Sequence, residues 1–409
     1  RDVLGSRGLG DVYKRQMLTA VLAVGIFMNI SSVSAATGNW DGAQKAVVNA
    51  YKKYKTSVDV SAYNLNYATE YDNLKSMMGE VVSETSYLFY TGTRFSVSRN
   101  TSTNQIVKIT LGYADAYKKS DGTIRKAKIK KTRTQLDSAI NQALLNVEPS
   151  MSQVEKAMVL HDYLVRTTAY TSDSNNAFRL TEVGVFLKHK ANCEGYSRAY
   201  AILMQKVGIP VKFVSSDKMV HMWNEIKIGK KWYHVDVTWD DPMDSRDKTD
   251  QYGRVSHQNF LCSAAKMQKT KHYDFSTGDA TGTKYDNRYW KNVNSSFYYN
   301  DGKWLYMTKD GITERDSLDH GAATVLYNVA GDNLTQYDAD RYYFIAFNSI
   351  YLYSRKTNEA KAVWKTTDLY SANCTLDQIK FENNKLYYRV YDNGKHISNK
   401  ITPKEDGTL

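Results

Sequence analysis

The clearest periodicity in the chain follows Cys193. Apolar residues at Tyr196, Ala199, Tyr200, Leu203 and Val207 recur at steps of three and four, which predicts a one-sided helix stopped by Gly208 and Pro210. Cys193 therefore stands at a helix N-terminus, with Asn192 as its N-cap. Beyond Pro210 the period changes to two. Val220 to Ile228 and Lys231 to Trp239 read as strands joined by Gly229-Lys230, a Gly-first loop suited to a type II′ hairpin. Upstream, Ser152-Gln153-Val154-Glu155 is a capping box that opens a helix running through Arg166, with Val154, Ala157, Met158 and Leu164 on its apolar face.

The flanking regions have different patterns. Residues 37 to about 148 read as a small α+β region. One helical face holds Trp40, Ala43, Val47, Tyr51 and Tyr54, and another holds Leu136, Ile140, Ala143, Leu144 and Val147. Strand candidates between them are Val58 to Ala62, Tyr87 to Tyr90, Phe95 to Val97 and Ile106 to Leu111. After residue 285 the chain turns Tyr-rich, and 297–306, 342–353 and 379–388 look like three copies of one hairpin. Each copy is followed by a second turn, Asp310-Gly311, Thr357-Asn358 or Asn393-Gly394. This predicts an all-β, propeller-like repeat region, with an open antiparallel stack as the alternative because three units are few for closure. At about 150 residues per domain, the 409 residues divide into 1–36, 37–148, 149–284 and 285–409.

The candidate chemistry falls in the third segment. A helix N-terminus favours a thiolate over a thiol, and the thiolate is the nucleophile. In the Gly229-Lys230 hairpin His221 lies opposite Thr238 and diagonal to Asp236, roughly 7–8 Å between backbones; an Ile228-Gly229 loop would put Asp236 directly opposite. Either register lets the carboxylate orient the imidazole. Thiol, imidazole and carboxylate then take the roles of nucleophile, proton shuttle and tautomer-fixing acid, with an oxyanion held by amides at the helix start. His234 shares a strand face with Asp236 and is the rival base, read as structural. A zinc site from Cys193, His221, His234 and Asp236 lacks the usual ligand spacing. His161, within the capping-box helix, reads as structural. The acidic run Asp240, Asp241, Asp244, Asp247 and Asp250 lacks EF-hand spacing and is expected to be a solvated loop.

The runs Cys193-Glu194-Gly195-Tyr196-Ser197-Arg198-Ala199-Tyr200, His221-Met222-Trp223-Asn224-Glu225 and Trp232-Tyr233-His234-Val235-Asp236-Val237-Thr238-Trp239-Asp240 resemble the catalytic core of the transglutaminase-like superfamily, most of all its secreted bacterial members. The resemblance covers about residues 151 to 275. It implies an α+β, papain-like or transglutaminase-like core, a Cys-bearing helix packed on an antiparallel sheet, with Cys193 as nucleophile, His221 as base and Asp236 as orienting acid. Tyr170 matches a Tyr position of the family, and a substrate cleft lined by Tyr170, Asn192, Trp223 and Trp239 is expected, with no cofactor and no metal; Ala191-Asn192 departs from the apolar pair that commonly precedes the Cys in bacterial relatives. Members include cross-linkers, deamidases, peptidases, peptide glycanases and inactive copies, so the core names a mechanism more firmly than a product.

Charge and cysteines narrow the setting. The net charge is +12 and the pI about 9.2, but Lys and Arg are spread along the chain, which argues against nucleic acid and for contact with a cell wall or another anionic surface. Met17 to Ile30 is an apolar run followed by Ser31-Ser32-Val33-Ser34-Ala35-Ala36, a secretory signal with a small-residue cleavage site; the alternative is an anchor that stays attached. Residues 1–16 do not begin with Met, carry no apolar period and are set aside as a non-native or truncated leader. The expectation is a secreted or cell-surface enzyme without a stable membrane span after cleavage, acting on a protein or peptide amide. Three cysteines leave at least one thiol unpaired, as a nucleophile requires. The competing class is a silent core serving as a surface binding or adhesion module. Cleavage after Ala35 or Ala36 predicts a mature protein starting at Ala36 or Thr37, which N-terminal sequencing of exported material reads directly.

Overall fold

The computed structural model describes residues 38–251, 253–275, 279–369 and 373–409; the expected leader and signal lie outside these. In the N-terminal region, helices α1 (Trp40–Lys52), α2 (Tyr71–Glu84) and α3 (Lys126–Leu144) accompany an antiparallel sheet of β1 (Ser57–Asp59), β2 (Ser96–Arg99) and β3 (Ile106–Thr110), with β3 central. Helix α1 buries Ala43, Val47, Ala50 and Tyr51, and α3 buries Ile129, Leu136, Ile140 and Ala143. The expected strand at Tyr87–Tyr90 is a turn, in which Thr91 N–H bonds to Leu88 C=O (3.0 Å). Leu88, Phe89 and Tyr90 are buried in succession, whereas a strand with one face in the core alternates. Helix α2 was not anticipated, although its buried Leu74, Met77, Met78 and Val81 follow helical spacing.

The central region runs α4 (Gln153–Thr167), β4 (Ala169–Tyr170), α5 (Glu182–Lys188), β5 (Lys190–Ala191), α6 (Cys193–Lys206), β6 (Val211–Ser216), β7 (His221–Ile228), β8 (Lys231–Val235), β9 (Phe260–Cys262) and α7 (Ala264–Lys269). Strands β6 to β9 form an antiparallel sheet in sequence order, and α6 packs on β6 and β7. The capping box at α4 closes in both directions: Glu155 N–H donates to Ser152 Oγ (3.3 Å) and Ser152 N–H to Glu155 Oε2 (2.9 Å). The β7–β8 register pairs Ile228 with Lys231, so the loop is Gly229-Lys230, with Gly229 at φ +60°. One expectation is corrected. Strand β8 ends at Val235, not Trp239, because Asp236 Oδ1 accepts the N–H groups of Thr238 (3.0 Å) and Trp239 (3.1 Å) and turns the chain out of the ladder.

The C-terminal region consists of antiparallel sheets laid down in chain order: β10 (Tyr298–Asn300), β11 (Lys303–Thr308), β12 (Gly311–Arg315) and β13 (Thr324–Asn328); β14 (Gly331–Gln336), β15 (Arg341–Ala346), β16 (Ser349–Ser354) and β17 (Glu359–Lys365); and β18 (Thr375–Glu382), β19 (Lys385–Asp392) and β20 (Lys395–Ile401). The repeated hairpins turn at Asp301-Gly302, Phe347-Asn348 and Asn383-Asn384, all with positive φ at both positions, the requirement of a type I′ turn. Both faces of the middle sheet are buried. Tyr342 and Phe344 pack with Leu305 and Ile312 of the first sheet, while Tyr343 and Ile345 pack with Ile379 and Leu386 of the third. That is why β15 reads as an unbroken apolar run. Among the described residues these sheets do not close into a propeller.

The boundaries drawn from sequence at 148 and 284 do not divide the core. One buried cluster runs from Val47 and Tyr51 through Met158 and Tyr200 to Trp290, Trp304 and Tyr306. The acidic run is also not a solvated loop. Asp240, Asp241 and Asp244 are buried, and Tyr196 O–H donates to Asp241 Oδ2 (2.5 Å). Asp244 and Asp247 meet the third sheet through His396, at 3.4 and 2.8 Å, and Arg389 donates to Asp247 (2.7 Å). Of these contacts the Arg389–Asp247 pair joins opposite charges between the repeat region and the core.

Beneath the sheet lies a fully buried charge group. Asp162 Oδ1 is 2.9 Å from both His161 Nδ1 and His257 Nε2, Asp162 Oδ2 accepts Phe297 N–H (2.7 Å), and His161 Nε2 meets Asp240 Oδ2 (3.2 Å). Burial alone would raise the Asp162 carboxyl and lower the His161 imidazole. The imidazoles against Asp162, and the carboxylates against His161, outweigh it, holding Asp162 well below the carboxylate range and lifting His161 to about 9. A carboxylate with a depressed folded pKa stabilises above its unfolded value of about 3.9 and loses that contribution as pH falls. Asp162→Ala is expected to cost about 3–5 kcal/mol, the range for breaking a buried pair, and to lose less stability than wild type on acidification; denaturant unfolding at neutral and acid pH measures both.

Candidate functional site

Local structure sets each side chain of the site. Asn192 caps α6, its Oδ1 accepting Gly195 N–H (3.3 Å), so Cys193 is the first residue of the helix. Gly195 is required by packing: a Cβ there would lie 2.6 Å from Arg179 C=O and 2.8 Å from the Ala191 Cβ. The segment before Cys193 thus sits tightly against the first turn. His221 begins β7, and Asp236 follows the last residue of β8. Their side chains meet with His221 Nε2 2.6 Å from Asp236 Oδ2. The other face of the imidazole system reaches Cys193, whose side chain hydrogen-bonds His221. With Nε2 occupied by the carboxylate, Nδ1 is the nitrogen left for the thiol.

The electrostatics follow from this contact. Burial works to lower the His221 pKa, but the charge and hydrogen bond of Asp236, and then those of Cys193, carry it up to about 10. The same imidazole holds Asp236 well below the carboxylate range in spite of its burial. Cys193 and His221 are only 5% and 9% exposed. Trp239, 41% exposed, leans over both His221 (5.5 Å between ring centroids) and His272 (4.2 Å), and forms the solvent edge of the site.

The remaining expected cleft residues divide. Tyr170 pairs across β4–β5 with Ala191, two residues before the thiol, and is half-buried beside the nucleophile segment. Trp223 is buried, stacks on His221 (5.5 Å, 25°) and donates to His234 Nδ1 (3.1 Å), so it is the floor under the imidazole and not a cleft wall. Asn192 is likewise buried as the cap. Both corrections have the same cause: the hydrogen-bonding end of each side chain is engaged inside the protein. His234 is buried, burial takes its pKa down to about 3, and its Nδ1 accepts from Trp223. Cys262 and Cys374 are free, buried thiols, without the disulfide their number allowed.

Sequence reasoning missed His272. Its Nε2 lies 2.9 Å from Asp236 Oδ2, the oxygen that also holds His221. No periodicity marks it, since it follows α7 in a short connection, Thr270-Lys271-His272-Tyr273. Among the described residues, His161/Asp162/His257, His221/Asp236/His272 and Asp244/Asp377/His396 each bring potential metal-ligand atoms within 4.8 Å of one another. In every set imidazole nitrogen and carboxylate oxygen already bond directly, at 2.6 to 3.4 Å. The zinc arrangement through Cys193 and His234 is not among them.

Residues 139–237 match the transglutaminase-like superfamily. Members of this superfamily are cysteine-dependent acyltransferases or proteases. The matched segment contains Cys193, His221 and Asp236. Among solved structures the chain is similar to a TGase, at 18% identity over 36% of this chain and 44% of the other, with a TM-score of 0.24. It is also similar to a proposed cysteine protease from Cytophaga hutchinsonii (13% identity, 36% and 61% covered, TM-score 0.22) and to an arylamine N-acetyltransferase from Salmonella typhimurium (8%, 66% and 86%, 0.23). The chain spans less than two thirds of the length of the first two. At TM-scores this low these likenesses assign it no activity. No curated protein matches.

The two strand histidines are expected to titrate oppositely. A histidine raised to about 10 keeps its proton through neutral pH, and one lowered to about 3 stays neutral. Nitrogen-15 NMR of the imidazoles between pH 5 and 8 should find His221 charged and His234 neutral throughout; the reverse assignment would make His234 the base.

Proposed function

We propose that this protein is a cysteine-dependent acyl-transfer enzyme acting on protein or peptide amides outside the cytoplasm. The observation that carries the reading is the His221 imidazole held by Asp236 on one side and bonded to Cys193, at a helix start, on the other. The thiolate attacks the amide carbonyl, and the first-turn amides of α6, including Glu194 N–H, supply the positive end to which an oxyanion turns. His221 passes its proton to the leaving amine, and Asp236 keeps the ring oriented with its charge compensated. The product of this half-reaction is a thioester on Cys193. Water resolves it in a peptidase or deamidase; a primary amine resolves it in a cross-linker.

The exposed Trp239 offers an aromatic surface to the substrate chain beside the nucleophile. The positive charge of the chain suits an envelope or wall setting, and the C-terminal sheets serve as an accessory binding region. Mass spectrometry of a protein mixture incubated with the mature protein and a primary amine is expected to give amine adducts, deamidation or cleavage that Cys193→Ala abolishes, a loss of about 10³-fold or more for removal of a nucleophile. Identical spectra for wild type and variant, with a Cys193 thiol no more reactive than free cysteine near neutral pH, would replace this reading with a non-catalytic surface scaffold.

A further inference from the structure

We infer that His272 is a fourth working member of this site, a positioning residue that acts on His221 through Asp236. The inference rests on the proposed acyl-transfer reading. Its basis is the bonding of one carboxylate. Asp236 Oδ1 accepts the N–H groups of Thr238 (3.0 Å) and Trp239 (3.1 Å), while Oδ2 accepts from His221 Nε2 (2.6 Å) and His272 Nε2 (2.9 Å). An ionised carboxylate offers about four lone-pair sites. All of them are used, so the carboxylate cannot turn about its terminal bond without breaking contacts on both oxygens.

The backbone amides fix Oδ1 but leave the tilt of Oδ2 to whatever meets it. If His221 were its only partner, the two could move together, since each would be the other's restraint. His272 supplies the independent anchor. It is buried, its backbone N–H bonds to Met267 C=O (3.1 Å), and its Nδ1 lies 3.3 Å from Thr270 Oγ1. Trp239 covers its ring at 4.2 Å, and Trp223 meets it edge-on at 5.1 Å. The imidazole is thus held on its faces and at both nitrogens. A ring so fixed, aimed at the oxygen that orients the catalytic base, transmits the position of the β9–α7 unit to the proton-transfer geometry. The bond that ties His272 to the base runs through Asp236.

Two substitutions separate this role from packing. His272→Phe keeps an aromatic ring under Trp239 and removes the donor. His272→Gln restores a donor near the Nε2 position. Removing an outer hydrogen bond of this kind costs on the order of ten- to hundredfold. We expect His272→Phe to lower kcat and the rate of Cys193 alkylation by iodoacetamide by about that factor, with KM unchanged and the thermal transition retained, and His272→Gln to recover most of the loss. In an Asp236→Ala background the Phe substitution should have no further effect, because the residues act in series. A His272→Phe protein within twofold of wild type, or one losing as much activity without Asp236 as with it, overturns the inference while leaving the acyl-transfer reading intact. A wild-type Cys193 that alkylates no faster than free cysteine overturns both. If His272→Phe lowers the thermal transition, the comparison rests on His272→Gln and on the Asp236→Ala cycle, where equal losses in both backgrounds are again the overturning result.

Discussion

Buried carboxylates have to be neutralised where they stand, and in this protein that constraint ties the parts together. Asp236 and Asp162 are each fully buried and each bonded to two imidazoles, His221 with His272 and His161 with His257. An uncompensated ionised carboxylate in such an interior would cost several kcal/mol. The partners come from distant segments, so pairing fixes tertiary structure: Asp162 joins α4 to the 257 loop and, through Phe297 N–H, to the first C-terminal sheet. Asp240 links the same group to the turn after β8 by accepting from Asn259 N–H (3.0 Å) and meeting His161. The turn from Asp236 to Asp240 therefore carries the candidate site at one end and the structural group at the other.

That turn explains the placement of the site relative to the scaffold. The hairpin alone brings His221 and Asp236 near each other, and the N-cap alone puts Cys193 at the helix start. Bringing the imidazole to the thiol needs α6 seated on β6 and β7. Arg198 contributes from the far side of α6: buried, it donates to Glu182 Oε2 (2.7 Å) and also meets Val82 C=O of α2. The N-terminal region acts as scaffold in this respect, since it braces the back of the helix whose first residue is Cys193.

The C-terminal sheets attach by two kinds of contact. The first sheet enters the main core through Phe297, Trp304 and Tyr306, with Trp304 Nε1–H donating to Glu155 (3.1 Å) at the capping box of α4. The third sheet is held by polar contacts, through the Arg389–Asp247 ion pair and His396 against Asp244 and Asp247. Burial also raises the carboxyls of Asp241 and Asp250, which share a hydrogen bond and so retain a proton between them. The acidic run is thus a set of paired groups: Asp240 meets His161, Asp241 meets Tyr196, and Asp244 and Asp247 share His396.

Local patterns determined much of this protein. The three-four spacing after Cys193, the capping box at Ser152, the Gly-first hairpin and the repeated turns each specify a short-range geometry that depends on a few adjacent residues. From them the Cys-bearing helix, the strand hairpin and the antiparallel character of the C-terminal region were legible. Tertiary structure alone decided the rest. That His272 shares Asp236 with His221, that Trp223 and Asn192 turn inward while Trp239 stays at the surface, and that Asp240, Asp241 and Asp244 are buried all depend on which distant side chain arrives at a given polar atom. A polar residue in a sequence looks the same whether it will face water or a partner far along the chain. Only the packed structure supplies the partner, and with it the charge state and the role.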